Sequence, residues 1–177
     1  MKNAMEEHVV LVNERDEAVG AMEKLEAHRR GELHRAFSVF VFDTEGRVLL
    51  QRRAVGKYHS GGLWTNTCCG HPRPGEDLLV AARRRLQEEM GFTCDLSHQF
   101  NFVYSADLDH GLREHELDHV LFGQHDGPVA PDPAEASEWR YLALDDLTGE
   151  IAETPELFTV WMRICLAQVL DRKRAGA

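Results

Sequence analysis

Between Cys68 and Phe92 the chain reads CCGHPRPGEDLLVAARRRLQEEMGF, and this stretch holds the densest group of residues able to do chemistry. Arg84 and Arg85 stand four residues ahead of Glu88 and Glu89, so a helix here would pair 84 with 88 and 85 with 89. Two carboxylates in the last turn of a helix are electrostatically misplaced, since that end favours cations by about 0.3–1 kcal/mol. They ask for positive charge nearby, either from those arginines or from a bound cation. Downstream, in EHELDHVLF, Glu114, Glu116 and Asp118 alternate and would share one face of a strand. Three carboxylates on one face repel each other unless the face is solvent or holds a cation. His28 and His34 are six residues apart across RRGEL, a spacing that suits surface loop histidines as well as metal ligands. Arg52, Arg53 and Lys57 form the densest basic group ahead of the stretch, either a solvated edge or an anion contact. Cys68, Cys69, Cys94 and Cys165 show no paired spacing of a disulfide framework or zinc knuckle, so reduced thiols are expected.

The elements that must position these groups follow from periodicity and punctuation. His8–Asn13 reads as a strand, with a turn over 14–17 and a second segment to Met22. Glu23–Arg30 reads as a single helical turn. Ala36–Phe42 is rich in aromatic and β-branched residues and predicts a buried strand. The turn Asp43-Thr44-Glu45-Gly46 returns it as a hairpin through Arg47–Gln51. Glu76–Met90 predicts a helix with Leu79, Ala82, Leu86 and Met90 as its core stripe and Gly91 just past its end. In the extended segment before it, Cys68 and Cys69 would point to opposite sides. Further strands are expected over Gln99–Tyr104, Glu114–Phe122 and Glu138–Leu142. Two helices follow, Asp145–Ile151 capped by Asp145, and Pro155–Arg172 with Leu157, Val160, Trp161, Ile164 and Cys165 facing inward.

With 177 residues, 43% hydrophobic and 28% charged, the chain suits a single domain, residues 1–177, with one core. Its net charge of −10 argues against a nucleic-acid partner and leaves anion binding to local basic residues or metal ions. No apolar run approaches the ~20 residues of a membrane span, and Met1–Glu7 is too polar for a signal peptide, so a cytoplasmic location is expected. Strands interleaved with helices predict an α/β domain with a mixed sheet.

Gly70, Glu76, Arg84, Leu86, Glu88, Glu89, Gly91 and Phe92 together resemble the Nudix box, a loop–helix–loop that binds divalent cations and diphosphates. One position departs: Arg85 stands where the box usually has a glutamate that holds hydrolytic metal. The triplet Cys69-Gly70-His71 entering the box is similar to one branch, the type I isopentenyl-diphosphate isomerases, and the likeness extends from Val9 to Val169. The resemblance implies a Nudix-type α/β/α sandwich and a metal-dependent allylic isomerisation in isoprenoid biosynthesis. The small-molecule diphosphate substrate would be acted on by a protein expected to be monomeric. It implies Cys69 and Glu116 as the two proton-transfer groups, with Tyr104 supporting the glutamate. It implies His28, His34, His71, Glu114 and Glu116 around one cation, Mn²⁺, Mg²⁺ or Zn²⁺ by donor type. Glu89 would hold a second ion, Mg²⁺, bridging to the diphosphate. Lys24, Arg53, Lys57 and Arg85 would contact the diphosphate, and Trp161 would shield a carbocation.

Two other classes share parts of this pattern. A Nudix hydrolase of nucleoside diphosphates would keep the fold but needs more metal carboxylates on the box helix, where Arg85 stands. A non-enzymatic Nudix-like module would lose the metal ligands, whereas all five ligand positions are present in this sequence.

Overall fold

A computed structural model describes residues 8–176; the polar segment Met1–Glu7 lies outside the described residues. Strands β1 (His8–Val12) and β2 (Ala18–Glu23) form an antiparallel hairpin, and helix α1 (Lys24–Arg30) follows directly, ended by Gly31 in the left-handed conformation. The full helix in place of a single turn has a local cause. The Glu23 carboxylate accepts from the Leu25 and Glu26 amides and caps its start.

Strand β3 (His34–Phe42) is the spine. Almost every residue is buried on both faces, as its continuous apolar run requires. Strands β4 (Val48–Arg53), β5 (Trp64–Thr65) and β6 (Cys68–Gly70) come next. β4 runs two residues further than the sequence predicts, so Arg53 enters the sheet and is buried while Arg52 stays at the solvated edge, paired with Glu138. Helix α2 (Leu78–Met90) begins two residues later than predicted, because Asp77 is its N-cap and accepts from the Leu79 and Val80 amides. Gly91 ends α2 at φ +77, and a Cβ there would lie 2.3 Å from the Ala130 carbonyl oxygen. Only glycine fits both the conformation and the space.

Strands β7 (Leu96–Asp107) and β8 (Arg113–Gln124) form a hairpin longer at both ends than the sequence patterns suggest, and β9 (Ala136–Leu142) pairs with β4. Helix α3 (Leu144–Glu153) has Ala143 at its cap position with no side-chain hydrogen bond; Asp145 sits in the first turn, where its charge meets the positive end of the dipole. The predicted final helix divides into a 3-10 turn, Pro155–Leu157, and helix α4 (Val160–Ala175). Its buried face is Trp161, Met162, Cys165, Leu166 and Val169, while Leu157 and Ile164 are exposed. Counting Pro155–Leu157 as helix displaces the predicted stripe in phase.

The sheet is mixed. β3 runs parallel to β8, with His34 opposite Glu116 and Phe42 opposite Gln124. Along its other edge β3 is antiparallel to β6, with Ser38 opposite Cys69. Phe37, Val39 and Val41 pack with Ala81, Ala82, Leu86 and Met90 of α2. Phe40 and Phe42 pack with Leu147 of α3 and with Trp161, Met162 and Cys165 of α4. Helices on both faces make the α/β/α sandwich. No helix among the described residues is long and apolar enough to cross a membrane.

Candidate active site

The parallel register places His34 beside Glu116, and α1 and the segment after β6 bring His28 and His71 to the same end of the sheet. Donor atoms of His28, His34, His71 and Glu116 all lie within 4.8 Å of one another. The Nδ1 of His28 is 2.7 Å from the Lys24 carbonyl oxygen, and that of His34 is 2.8 Å from the Glu32 oxygen. A carbonyl only accepts, so both Nδ1 atoms carry the hydrogen and both Nε2 atoms present lone pairs. Those two Nε2 atoms are buried without a hydrogen-bond partner, His28 Nε2 3.3 Å from Glu114 Oε2 and His34 Nε2 3.5 Å from Glu116 Oε1. Lone pairs aimed at carboxylate oxygens in a dry site are repulsive as they stand, and a cation between them resolves the arrangement. Burial, followed by the charge of Glu116, pushes the Glu114 carboxyl well above the ordinary range. Two adjacent buried glutamates and three converging imidazoles, two of them with unpartnered Nε2 atoms, therefore fit a divalent ion.

Glu114 sits slightly apart from the other predicted ligands. It belongs to an overlapping group, His28, His59 and Glu114, with His59 Nε2 3.2 Å from Glu114 Oε1. His59 is nearly fully buried, and burial followed by the nearby Arg53 depresses its pKa to about 2. The sequence offered no signal for His59, which lies in the loop between β4 and β5.

On the neighbouring part of the sheet, Cys68 and Cys69 do point to opposite sides. Cys68 is fully buried against α2, and Cys69 faces the other way. The Cys69 thiol is 3.1 Å from Asn66 Oδ1, which also accepts from the Trp161 indole at 3.2 Å. Its sulfur is 3.6 Å from the Ser38 hydroxyl, which donates to Asp118 at 2.7 Å. Burial, and then the charge of Asp118, raises the Cys69 pKa to about 12, so the thiol keeps its proton at neutral pH. Gly70 is required beside it, because a Cβ would come within 2.8 Å of Phe37 and 3.2 Å of Arg85. Tyr104, opposite Glu116 on β7, donates to Glu116 Oε2 at 2.8 Å while His71 approaches Oε1 at 2.9 Å. Burial pushes the Tyr104 phenol well up and keeps it a donor.

Ser38, Cys69, Gly70, His71, Tyr104 and Glu116 line one cavity of about 670 Å³. Lys24, Arg53, Lys57, Arg85, Trp161, Glu89 and Glu114 line it as well, and His28 and His34 lie buried behind. Its cations are held in place. Lys57 is paired with Glu135, and Arg85 with Glu88 at 2.6 Å, Glu89 at 2.5 Å and Glu135 at 3.2 Å. Arg53 lies 5.4 Å from the Trp161 ring centre, its Nε unpartnered. Burial and the neighbouring Lys57, Arg85 and Arg53 lower the Lys24 ammonium to a pKa of about 8. Glu89 lies outside both histidine groups, its oxygens taken by Arg85 and by the Gln51 amide at 2.8 Å. Sequence reasoning missed Asn66, Ser38 and Glu135 along with His59, since none carries a local pattern; for Asp118 it found the strand face but not the partners Ser38 and Cys69.

The sandwich and the box helix place the chain among proteins with a NUDIX domain, the family that matches residues 32–162. Solved structures share this fold: a Deinococcus radiodurans protein (TM-score 0.70, 22% identity, covering 83% of this chain and 90% of that one) and a MutT protein from Methanosarcina mazei (0.66, 19%, 80% and 95%). Sequence narrows the class. An isopentenyl-diphosphate Delta-isomerase 2 of Aromatoleum aromaticum is 54% identical over 94% of this chain and 88% of its own, and an isopentenyl-diphosphate Delta-isomerase of Burkholderia multivorans is 55% identical over 89% of each. The chain belongs to the isopentenyl-diphosphate Delta-isomerase family.

Proposed function

We propose that the protein interconverts isopentenyl and dimethylallyl diphosphate in isoprenoid biosynthesis, through a tertiary carbocation, with Cys69 and Glu116 as its two proton carriers. The observation that carries this is one cavity lined both by a thiol that keeps its proton and by a carboxylate buttressed by a phenol. An unactivated alkene is a poor base, so it takes a proton only from an acid pressed against it in a dry site. In the forward direction the Cys69 thiol gives its proton to the terminal alkene carbon, and Glu116 removes one from the allylic carbon. The reverse reaction exchanges the roles. Tyr104 orients Glu116 by hydrogen bonding, and Asn66 fixes the Cys69 thiol and the Trp161 indole on one oxygen. The Trp161 ring stabilises the tertiary cation by about 1–2 kcal/mol and excludes water.

Lys24, Arg53, Lys57 and Arg85 bind the diphosphate. His28, His34, His71, Glu114 and Glu116 would hold a divalent ion, manganese or zinc, and Glu89 would hold a magnesium ion for the diphosphate. A cation held there supplies positive charge that lets both buried glutamates ionise. Arg85 favours isomerisation over hydrolysis: it engages both box glutamates, a cation where a hydrolase has a third carboxylate. The described residues form one domain, and the protein acts as a monomer in the cytoplasm, a reading supported by four free cysteines and by exposed apolar residues that, among the described residues, fall on separate elements.

Incubation with isopentenyl diphosphate, and separately with nucleoside diphosphates, tests this reading. The expected product is the allylic isomer, formed only with divalent metal present. Released phosphate, or full activity after exhaustive chelation, overturns it.

A further inference from the structure

His59 has no place in the mechanism above, yet it is 4% exposed and touches both halves of the site. Its Nδ1 lies 3.1 Å from the Ser60 hydroxyl and its Nε2 lies 3.2 Å from Glu114 Oε1. The Ser60 hydroxyl can donate to Nδ1, which sets the ring hydrogen on Nε2, the nitrogen that faces Glu114 Oε1. The loop is fixed in that pose. Ser60 holds a left-handed backbone at φ +51, its amide donates to Asp109 at 3.1 Å, and the His59 carbonyl accepts from Arg53 at 3.1 Å. A non-glycine residue in that conformation persists only where its surroundings dictate it.

The consequence lies in the two oxygens of Glu114. Oε1 faces the His59 ring at 3.2 Å, whereas Oε2 is buried, has no hydrogen-bond partner and lies 3.3 Å from the bare Nε2 of His28. A glutamate with one oxygen fixed in this way can turn only the other toward an ion. We infer that His59 is a positioning residue of the metal centre: it anchors Glu114 through Oε1 and so presents Oε2 to the cation. This rests on the metal site described above and adds to it a residue outside the five ligands. The His59 ring also stands edge-on to Trp161, with centroids 5.9 Å apart, so one side chain braces both the ion's ligand and the wall of the cavity.

The test is Mn²⁺ binding to chelator-stripped protein, read as free ion by electron paramagnetic resonance, with the metal-free melting curve as folding control. His59→Phe keeps the ring and removes the donor; it should weaken Mn²⁺ binding by ~10- to 100-fold, the usual cost of losing such a partner. His59→Gln keeps an N–H that reaches Glu114 and should stay within about threefold of wild type, far from the loss of a direct ligand. An unchanged Mn²⁺ affinity in His59→Phe overturns this inference and leaves the metal site standing. A glutamine variant as weak as the phenylalanine one also overturns it, by making His59 a ligand. Wild-type protein that binds no Mn²⁺ overturns the site and the inference together. Should His59→Phe not fold, Ser60→Ala carries the test, since it frees the ring tautomer. A loss of about threefold or more is then expected, and an unchanged affinity refutes the proposal.

Discussion

Replacing each of the adjacent cysteines by serine separates catalysis from packing on neighbouring residues. Cys69 is the proposed proton donor, and a positioned general acid contributes ~10²- to 10⁴-fold in rate, or about 2.7–5.4 kcal/mol of barrier. Serine keeps the hydrogen bond to Asn66 but is a much weaker acid, so Cys69→Ser should lose that factor in kcat with little change in melting temperature. Cys68→Ser has the opposite signature. Its side chain is fully buried against α2, where the thiol donates to the Cys69 carbonyl at a long 3.9 Å and interacts with the Glu89 side chain. A hydroxyl placed there costs about 1–3 kcal/mol of stability, which for a chain of this size lowers the melting temperature by roughly 2–12 °C. Its kcat at 25 °C should stay near wild type. The assays are isomer formation followed by NMR, inorganic diphosphate binding and thermal melting, for each variant. Equal rate losses at both positions, or a nearly active Cys69→Ser protein, would refute Cys69 as the acid.

Affinity for inorganic diphosphate should fall above pH 8 by up to ~tenfold per unit as Lys24 loses its proton, since its ammonium is lowered to about 8 and only the charged form attracts the anion. Lys24→Arg should abolish that decline, and the same slope in the variant would exclude Lys24 as its source. Adding Mn²⁺ at a hundredfold its Kd to stripped protein should stabilise it by ~2.7 kcal/mol, or roughly 5–11 °C in Tm. His34→Ala should lose that gain, and an undiminished shift would place the ion elsewhere. Gly91→Ala should cost about 1–3 kcal/mol or more in urea unfolding, because a left-handed backbone and the Ala130 carbonyl both oppose a Cβ; a neutral result would mean the loop at Ala130 yields freely.

Much of this site is readable from local pattern. Alternation alone puts Glu114, Glu116 and Asp118 on one face, and the fold decides that the face is buried rather than wet. Likewise a two-residue period separates Cys68 from Cys69. What escapes is whatever depends on register between distant segments. Ser38 reaches Cys69 and Asp118 only because β3 lies between β6 and β8, and no spacing in the chain announces that. His59 and Asn66 sit in irregular stretches where neither the helical nor the strand period applies. The start of α2 differs because Asp77 rather than Glu76 sets the cap, and the start of α4 because a 3-10 turn imitates the beginning of a helix.

The parallel pairing of β3 with β8 also bears on how the chain acquires its activity. His34 and Glu116 are neighbours across strands yet separated by the whole of β4, β5, β6, α2 and β7. Parallel strands so far apart must close a long loop before any contact offsets its entropy, and such pairings are slow. The Nε2 atoms of His28 and His34 can therefore meet their carboxylates only late in folding, after β8 has left the ribosome. A nascent chain carrying α1 and β3 alone offers two histidines and no carboxylate partner, a poor trap for metal. Ion capture thus becomes a check on completed folding, since the ligands converge only in a chain that has already built its central sheet.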